Sequence, residues 1–135
     1  MLLVKTKLKL SKIHGIGLFA DENIKKGQIV WKKNKNCSYV IFSEKEWREL
    51  KRKTSPESFK QIRNYTYKYN RDGKYYCCLD DTRFMNHSSK PNIVENKLGN
   101  DIALRNIKKG EEILIDYETF FDPEDLNQER KVWNK

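Results

Sequence analysis

The sequence predicts a mainly β fold of small sheets with a few short helices. Many short apolar runs are separated by turn residues along the 135-residue chain, and only a few segments show helical spacing. Strands and helices do not alternate regularly, which excludes a doubly wound parallel sheet. The length favours one domain, so we expect residues 1–135 to form a single domain.

The first strand is predicted from alternation between Val4 and Leu10, which indicates a half-buried strand with a charged outer face. Its predicted inner face carries Val4, Thr6, Leu8 and Leu10. Its outer face carries Lys5, Lys7 and Lys9. The segment "HGIGLFA" (14–20) predicts a tight turn that leads into a second strand. Further N-terminal strands are predicted at residues 28–31 and 38–42.

Helix starts are predicted from capping residues. Ser43 and Glu46 have the spacing of a capping box at the start of a first helix. Pro56 fits the first turn of a second helix, with Thr54 or Ser55 as its cap. A last helix is predicted to begin at Asp122 and Pro123 and to carry Leu126, Val132 and Trp133.

The C-terminal half returns to strand patterns. The turn signal "RDG" (71–73) precedes the first of these runs. The predicted strands are "YYCCL" (75–79), "IVEN" (93–96), "DIALR" (101–105) and "EEILIDY" (111–117). The pentapeptide "NIKKG" occurs twice, at 23–27 and 106–110, each time before a β run. Because the similarity extends no further, we interpret it as one turn chemistry used twice, with glycine at positive φ.

The charge and the cysteines limit the classes of partner and compartment. A formal net charge of +9 favours acidic partners, although a solvated lysine-rich surface is the simpler explanation of it. The N-terminus lacks the apolar run of a signal peptide, and no segment predicts a membrane span. Three cysteines without metal-ligand spacing fit a reducing compartment. We therefore expect a cytoplasmic location, or a nuclear one (the host nucleus for a viral or effector protein).

Two motifs have competing interpretations. "GIGLFA" (15–20) matches a variant of the dinucleotide fingerprint, but a turn and a strand follow it where that fingerprint needs a helix. "FMNHSSKPNI" (84–93) fits a surface turn, a fragment of a metal site or a loop that holds a ligand. A metal is disfavoured because His14 and His87 are far apart and no cysteine pair has ligand spacing. Nothing in the loop alone decides between the turn and the ligand.

Three motifs taken together and in order resemble the SET-domain family of protein-lysine methyltransferases. They are "HGIGLFA" (14–20), "RFMNHSSKPN" (83–92) and "GEEILIDY" (110–117). The resemblance covers almost the whole chain and is to a minimal SET domain of bacterial or viral type. It implies a SET (β-clip) fold of small sheets with a knot-like C-terminal segment, and S-adenosylmethionine as cofactor.

The resemblance also implies roles for individual residues. Its cofactor-binding set comprises the backbone around Ile16, Gly17 and Leu18, together with Asn86 and His87. Tyr117 corresponds to the catalytic tyrosine. A further cofactor-binding tyrosine is expected from the segment before the Asn-His motif, with Tyr67 as the first candidate and Tyr65 as the second.

The chain departs from the family in ways that bear on the substrate channel. It has neither of the cysteine-rich zinc modules, called pre-SET and post-SET, that flank the domain in some members, and no metal is expected. Other residues must therefore cover the channel, and the candidates are Phe120, Phe121 and Trp133. Alternatively, Trp133 only anchors the last helix. Ile115 stands where members often have Phe or Tyr. Without a phenol there, we expect di- or trimethylation.

The predicted function is transfer of a methyl group from S-adenosylmethionine to a lysine ε-amine in a protein substrate. The expected partners are histones or other basic proteins; nucleic acid is not required, no membrane is expected, and the small core allows a homodimer. One alternative is a catalytically weak SET-like module that binds protein. Another is a basic nucleic-acid-associated domain, because "NYTYKYNRDGKYYCC" (64–78) interleaves basic and aromatic residues. Such tyrosines also commonly pack a β core.

Overall fold

The computed structural model describes residues 1–34 and 37–127. Strand accounts for 32% of the structure and helix for 24%, so the predicted mainly β fold of small sheets is confirmed. Residues Met1–Ser38 with Asp80–Asp116 form one compact unit, and Tyr39–Leu79 with the segment from Tyr117 onward form another. We call these the first and the second unit. The single-domain organisation stays a prediction.

The first unit contains three small sheets and a core of aliphatic side chains. Its strands are β1 (Thr6–Leu10), β2 (Ile16–Ala20), β3 (Ile29–Trp31), β7 (Asn86–His87), β8 (Ile93–Glu95), β9 (Asp101–Ala103) and β10 (Leu114–Ile115). β1 pairs with β2, β9 lies between β3 and β8, and β10 runs parallel to β7. The core includes Leu18, Val30, Ile93 and Ile113, all fully buried.

The predicted inner face of β1 is only partly buried. Val4 is 8% exposed, but Leu8 is 40% and Leu10 is 86% exposed, so the prediction that both leucines face the core is wrong. The alternation correctly separates two faces of the strand. However, β1 lies at the edge of a two-stranded sheet, and the exposure of its apolar side chains rises toward the hairpin end.

The segment "EEILIDY" forms a shorter strand than predicted because it changes partners. Glu112 forms an antiparallel bridge with Phe19 of β2, and Ile113 donates to the Leu18 carbonyl at 2.7 Å. Only Leu114 and Ile115 then pair with β7. The change of partner connects β2 and β7 through one segment, which positions the residues of the candidate site.

The two "NIKKG" turns of the first unit are paired with each other. Ile24 donates to the Ile107 carbonyl at 2.8 Å and accepts from the Ile107 amide at 2.9 Å, and both side chains are 1% exposed. Gly27 (φ +80°) and Gly110 (φ +93°) confirm the predicted left-handed backbone. The repeat is thus one interface built from two copies of the same turn.

The second unit combines two helices with a three-stranded sheet. α1 (Glu44–Lys53) begins at Ser43, whose side chain and that of Glu46 form the predicted capping box. α2 (Pro56–Arg63) begins at Ser55, which settles the choice of cap in favour of Ser55 over Thr54. The sheet has the order β4-β6-β5, with β4 (Tyr39–Phe42), β5 (Thr66–Lys68) and β6 (Tyr75–Cys78).

The last predicted helix begins at Pro123, and the structure describes it through residue 127. Asp122 caps it, because its side chain accepts from the Glu124 amide at 3.0 Å, and Leu126 is 8% exposed. Val132 and Trp133 lie outside the described residues. In the part of the chain that the structure describes, no helix has both the length and the apolar character to cross a membrane.

Candidate functional site

Asn86 occupies the centre of a polar cluster in the first unit. It lies on β7 and is buried. Its Nδ2 donates to the His14 carbonyl at 3.0 Å and to Glu112 Oε1 at 2.8 Å. Both partners are acceptors, which fixes the orientation of the amide. Asn86 Oδ1 has no hydrogen-bond partner among the described residues, so it remains available as an acceptor.

Glu112 is a member of this cluster that sequence analysis missed. Its carboxylate accepts from Asn86 and, through Oε2, from Ser11 Oγ at 3.0 Å. It also lies against Gly17, where a Cβ would stand 2.8 Å from Glu112 Cδ and 3.1 Å from Ser11 Cβ. A residue with any side chain at position 17 would therefore displace the carboxylate. An acidic residue directly before an apolar run was the available signal.

The predicted cofactor strand has one exposed and two buried members. Ile16 is 48% exposed, whereas Gly17 is buried and Leu18 is fully buried. All three belong to β2, which follows the loop that contributes the His14 carbonyl. The structure therefore brings the "GIG" motif and Asn86 together. The cofactor role of these residues stays a prediction.

The imidazole of His87 is directed at an acid. Its Nδ1 lies 3.6 Å from Asp116 Oδ1, and its side chain is 20% exposed. Its backbone belongs to β7, in register with Ile115, whose carbonyl accepts from the Ser88 amide at 3.1 Å. No cluster of three or more potential metal-binding side chains occurs within residues 1–34 and 37–127.

Asn92 closes the loop that follows His87. Its Nδ2 donates to the Glu112 carbonyl at 2.7 Å, and its Oδ1 accepts from the Leu114 amide at 2.8 Å. The side chain is 2% exposed. The segment 84–93 is therefore more than a surface turn, because a buried amide joins its end to the segment that carries Glu112.

The second unit carries a stack of three aromatic rings. Tyr117, at the start of a 3-10 helix (Tyr117–Thr119), stacks on Phe121 with ring centroids 4.4 Å apart and an interplanar angle of 10°. Tyr67 lies 5.0 Å from Phe121 at 7°. Phe120 contacts Tyr67 and Phe121 edge-on at 5.1 and 5.0 Å. The rings of the predicted catalytic tyrosine and of Tyr67 are thus both held by packing on Phe121.

The remaining predicted site residues are placed as follows. Tyr65 is 38% exposed, and Tyr67 rather than Tyr65 belongs to the stack. Phe120 and Phe121 are each 8% exposed in the second unit, and Ile115 is 7% exposed in the first. Their roles in a substrate channel stay predictions, and Trp133 lies outside the described residues.

A groove of about 430 Å³ lies in the second unit beside α1. Trp47 and Tyr75 stack along it with centroids 4.7 Å apart. Burial and the neighbouring Glu44 carboxylate raise the pKa of Tyr75 to about 12, so the phenol stays protonated and donates to Glu44 at 3.0 Å. Arg48 also pairs with Glu44, and Arg63 pairs with Asp125. None of the predicted site residues lines this groove.

Comparison with solved structures identifies similar folds. A Plasmodium falciparum protein assigned as a histone methyltransferase is 26% identical, with a TM-score of 0.54 over 86% of this chain and 95% of that one. A subunit of an active polycomb repressive complex 2 is 25% identical, with a TM-score of 0.58 over 84% of this chain. The match spans only 15% of that subunit.

A chain of ctPRC2 bound to S-adenosylmethionine shares the fold at 22% identity, with a TM-score of 0.62 over 96% of this chain and 17% of its own. Among curated proteins, none matches this sequence. The family model of the SET domain matches residues 15–118, which include all of the three motifs except His14 and parts of both units. The chain therefore belongs to the SET-domain family.

Proposed function

We propose that this chain transfers a methyl group from S-adenosylmethionine to the ε-amine of a lysine in a protein substrate. The observation that carries the proposal is the geometry of Asn86. Both of its amide hydrogens are used, by the His14 carbonyl and the Glu112 carboxylate, so its Oδ1 remains as an acceptor of fixed direction. Such an acceptor suits the ammonium group in the amino-acid part of the cofactor.

The surroundings of Asn86 fit the same cofactor. Gly17 has no side chain, and this leaves the space in which the Glu112 carboxylate lies and accepts from Asn86. The backbone of Ile16, Gly17 and Leu18 would line one side of the ligand, and the backbone of His87 would bond its adenine end. When bound, S-adenosylmethionine supplies an electrophilic methyl group on a sulfonium.

Tyr117 would orient the attacking amine. Its phenol both donates and accepts hydrogen bonds, and the stack on Phe121 fixes the direction of the ring. A lysine amine has an ordinary pKa of about 10.4, and transfer into apolar surroundings lowers it, so no strong base is required. Alignment of the reacting atoms can contribute about 7–11 kcal/mol, which makes positioning the main task of the residues.

We further propose the product and the substrate class. Ile115 gives an apolar wall where a phenol would hold water, which favours di- or trimethyl-lysine over monomethyl-lysine. Similarity to a protein assigned as a histone methyltransferase makes histones and other basic proteins the first substrates to test.

The proposal is tested by incubating the purified chain with tritiated S-adenosylmethionine and histones, ribosomal proteins or a basic lysate fraction. We expect methylated lysines that mass spectrometry assigns as di- or trimethylated. Tyr117→Phe keeps the aromatic stack and should lose at least about a hundredfold in rate, which corresponds to the loss of one positioning group. Tyr75→Phe, which also removes one hydroxyl from the second unit, is the matched control.

Calorimetry separates the enzyme from a binding module. Cofactor binding without labelling of any protein would support a SET-like module that binds protein. Absence of both cofactor binding and labelling would overturn the proposal. A product that stops at monomethyl-lysine would contradict the role given to Ile115.

A further inference from the structure

We propose that the outer edge of β1 binds an extended segment of a partner protein in which acidic and apolar residues alternate. The segment would add a third strand to the β1-β2 sheet of the first unit. This interaction is separate from the proposed methyl transfer and does not depend on it.

The backbone of β1 has a free edge. The Asp21 amide donates to the Lys5 carbonyl at 2.8 Å and the Ser11 amide to the Gly15 carbonyl at 2.9 Å, so these pairs bracket the β1-β2 ladder. In an antiparallel ladder, pairs that exchange hydrogen bonds alternate with pairs that do not, and the backbone groups of the latter point away from the partner strand. The residues whose amide and carbonyl groups point away from β2 are therefore Thr6, Leu8 and Leu10. No described residue pairs with those groups.

The side chains along this edge are exposed. Leu8 is 40% and Leu10 is 86% exposed, and Ile16, opposite Leu10 on β2, is 48% exposed. On the other face, the side chain of Lys7 is 60% exposed, and Lys9 lies over the Phe19 ring at 5.5 Å. An added strand would thus find apolar side chains on one face and lysines on the other.

A second copy of this chain is a poor occupant. In a pair of two β1 strands, the outward backbone groups of Thr6, Leu8 and Leu10 in one copy must bond the same set in the other copy. The lysines at the alternate positions then stand opposite lysines in every antiparallel register. Such pairs are destabilising. Lysines on an edge strand are a known means of preventing association of this kind.

An acidic partner strand reverses this effect. Its carboxylates would stand opposite Lys7 and Lys9, and its apolar residues opposite Leu8 and Leu10. Lys7 Nζ already lies 3.1 Å from Asp21 Oδ1, but the same oxygen also forms an ion pair with Lys109 Nζ at 3.2 Å. Lys7 can therefore turn to a partner without leaving Asp21 unpaired. Main-chain hydrogen bonds would supply affinity, and the alternation would supply specificity.

The test uses a labelled peptide of alternating valine and glutamate, about seven residues long to match the length of the strand. We expect saturable binding by fluorescence polarisation. Amide hydrogen exchange of the wild-type chain should slow at Thr6, Leu8 and Leu10. A valine–lysine peptide of the same pattern is the control and should bind at least about tenfold more weakly.

The double variant Lys7→Glu with Lys9→Glu should exchange the preference between the two peptides by about tenfold in each direction. Circular dichroism checks that the variant is folded, and the exchange measurement on the wild type is independent of it. An unchanged preference in the double variant overturns the proposal. Slowed amide exchange outside β1 on peptide binding would also overturn it. So would sedimentation showing that the edge binds a second copy of the chain, or vesicle binding showing that it binds a membrane.

Discussion

The carboxylate of Glu112 accepts a hydrogen bond from Asn86 at 2.8 Å, across 26 residues of sequence. The same carboxylate oxygen occupies the space that a side chain at position 17 would need. One acidic residue thus connects the three motifs that define the family resemblance. The positions of Gly17, Asn86 and Glu112 therefore depend on one another in this part of the first unit.

Replacing Glu112 should test this connection. Glu112→Ala removes the acceptor for Asn86 and for Ser11, and a hydrogen bond to a charged group contributes about 1.5–3 kcal/mol. We expect the cofactor affinity to fall at least about tenfold, since Asn86 is then free to rotate. Titration calorimetry measures the change. Glu112→Gln can still accept from Asn86 and donate to Ser11, and it should stay within about threefold of wild type. Equal losses in both variants would contradict the positioning role.

Gly17→Ala should be damaging for a steric reason. The new methyl group would force Glu112 away from Asn86, and overpacking of this kind costs about 1–3 kcal/mol of stability. We expect weaker cofactor binding together with a lower urea midpoint. Gly73→Ala is the control, because Gly73 has φ +65° and open space around it. That variant should lose about 1–2 kcal/mol of stability through backbone strain alone and keep its cofactor affinity. A Gly17→Ala chain that binds cofactor normally would show that the carboxylate can move without effect.

Local signals in the sequence predicted local structure well. The capping box at Ser43 and the glycine turns depend on residues within one or two turns of chain, and both are confirmed. Long-range partners were not predictable in the same way. Glu112 resembles a solvated acid because nothing local shows that Asn86, Ser11 and Gly17 converge on it.

The errors have a common physical cause. Alternation in β1 separates its two faces but carries no information on whether another layer covers them, and Leu10 proved to be 86% exposed. The strand predicted from "EEILIDY" is short because the segment pairs first with β2 and then with β7. Burial and pairing are properties of the whole fold, and the sequence of one segment does not contain them.

The paired "NIKKG" turns predict that the two equivalent asparagine substitutions reduce stability by the same amount. Asn23 Oδ1 accepts from the Lys109 amide and Asn106 Oδ1 from the Lys26 amide, each at 2.9 Å. Asn23→Ala and Asn106→Ala should therefore cost the same free energy of unfolding, about 1 kcal/mol each. Urea denaturation measures both. Lys25→Ala, at an exposed position of the same turn, should change stability by less than about 0.5 kcal/mol. A clear difference between the two asparagine variants would show that the turns are not equivalent.

The cross-strand pair of Asp101 and Glu95 makes stability depend on pH. The two acids stand opposite each other on β9 and β8. Burial, reinforced by Glu95 and Asp80 and opposed by the N-terminal ammonium, raises the pKa of Asp101 from its ordinary value of 3.8 to about 7. The folded state therefore binds a proton that the unfolded state releases near pH 4. The contribution of Asp101 is most favourable below about pH 4 and is lost as pH rises to about 7.

Asp101→Asn should remove this dependence, because the amide stays neutral at every pH. We expect the variant to unfold at higher temperature than wild type at pH 8, with a gain on the order of 1–3 kcal/mol, and to differ little at pH 4. Thermal unfolding followed by circular dichroism at several pH values provides the measurement. Glu95→Gln removes the charge that faces Asp101, so as a single variant it should give part of the same stability gain at pH 8. In the double variant with Asp101→Asn it should add almost nothing. Parallel pH profiles for wild type and Asp101→Asn would mean that Asp101 ionises in the folded state as it does in water.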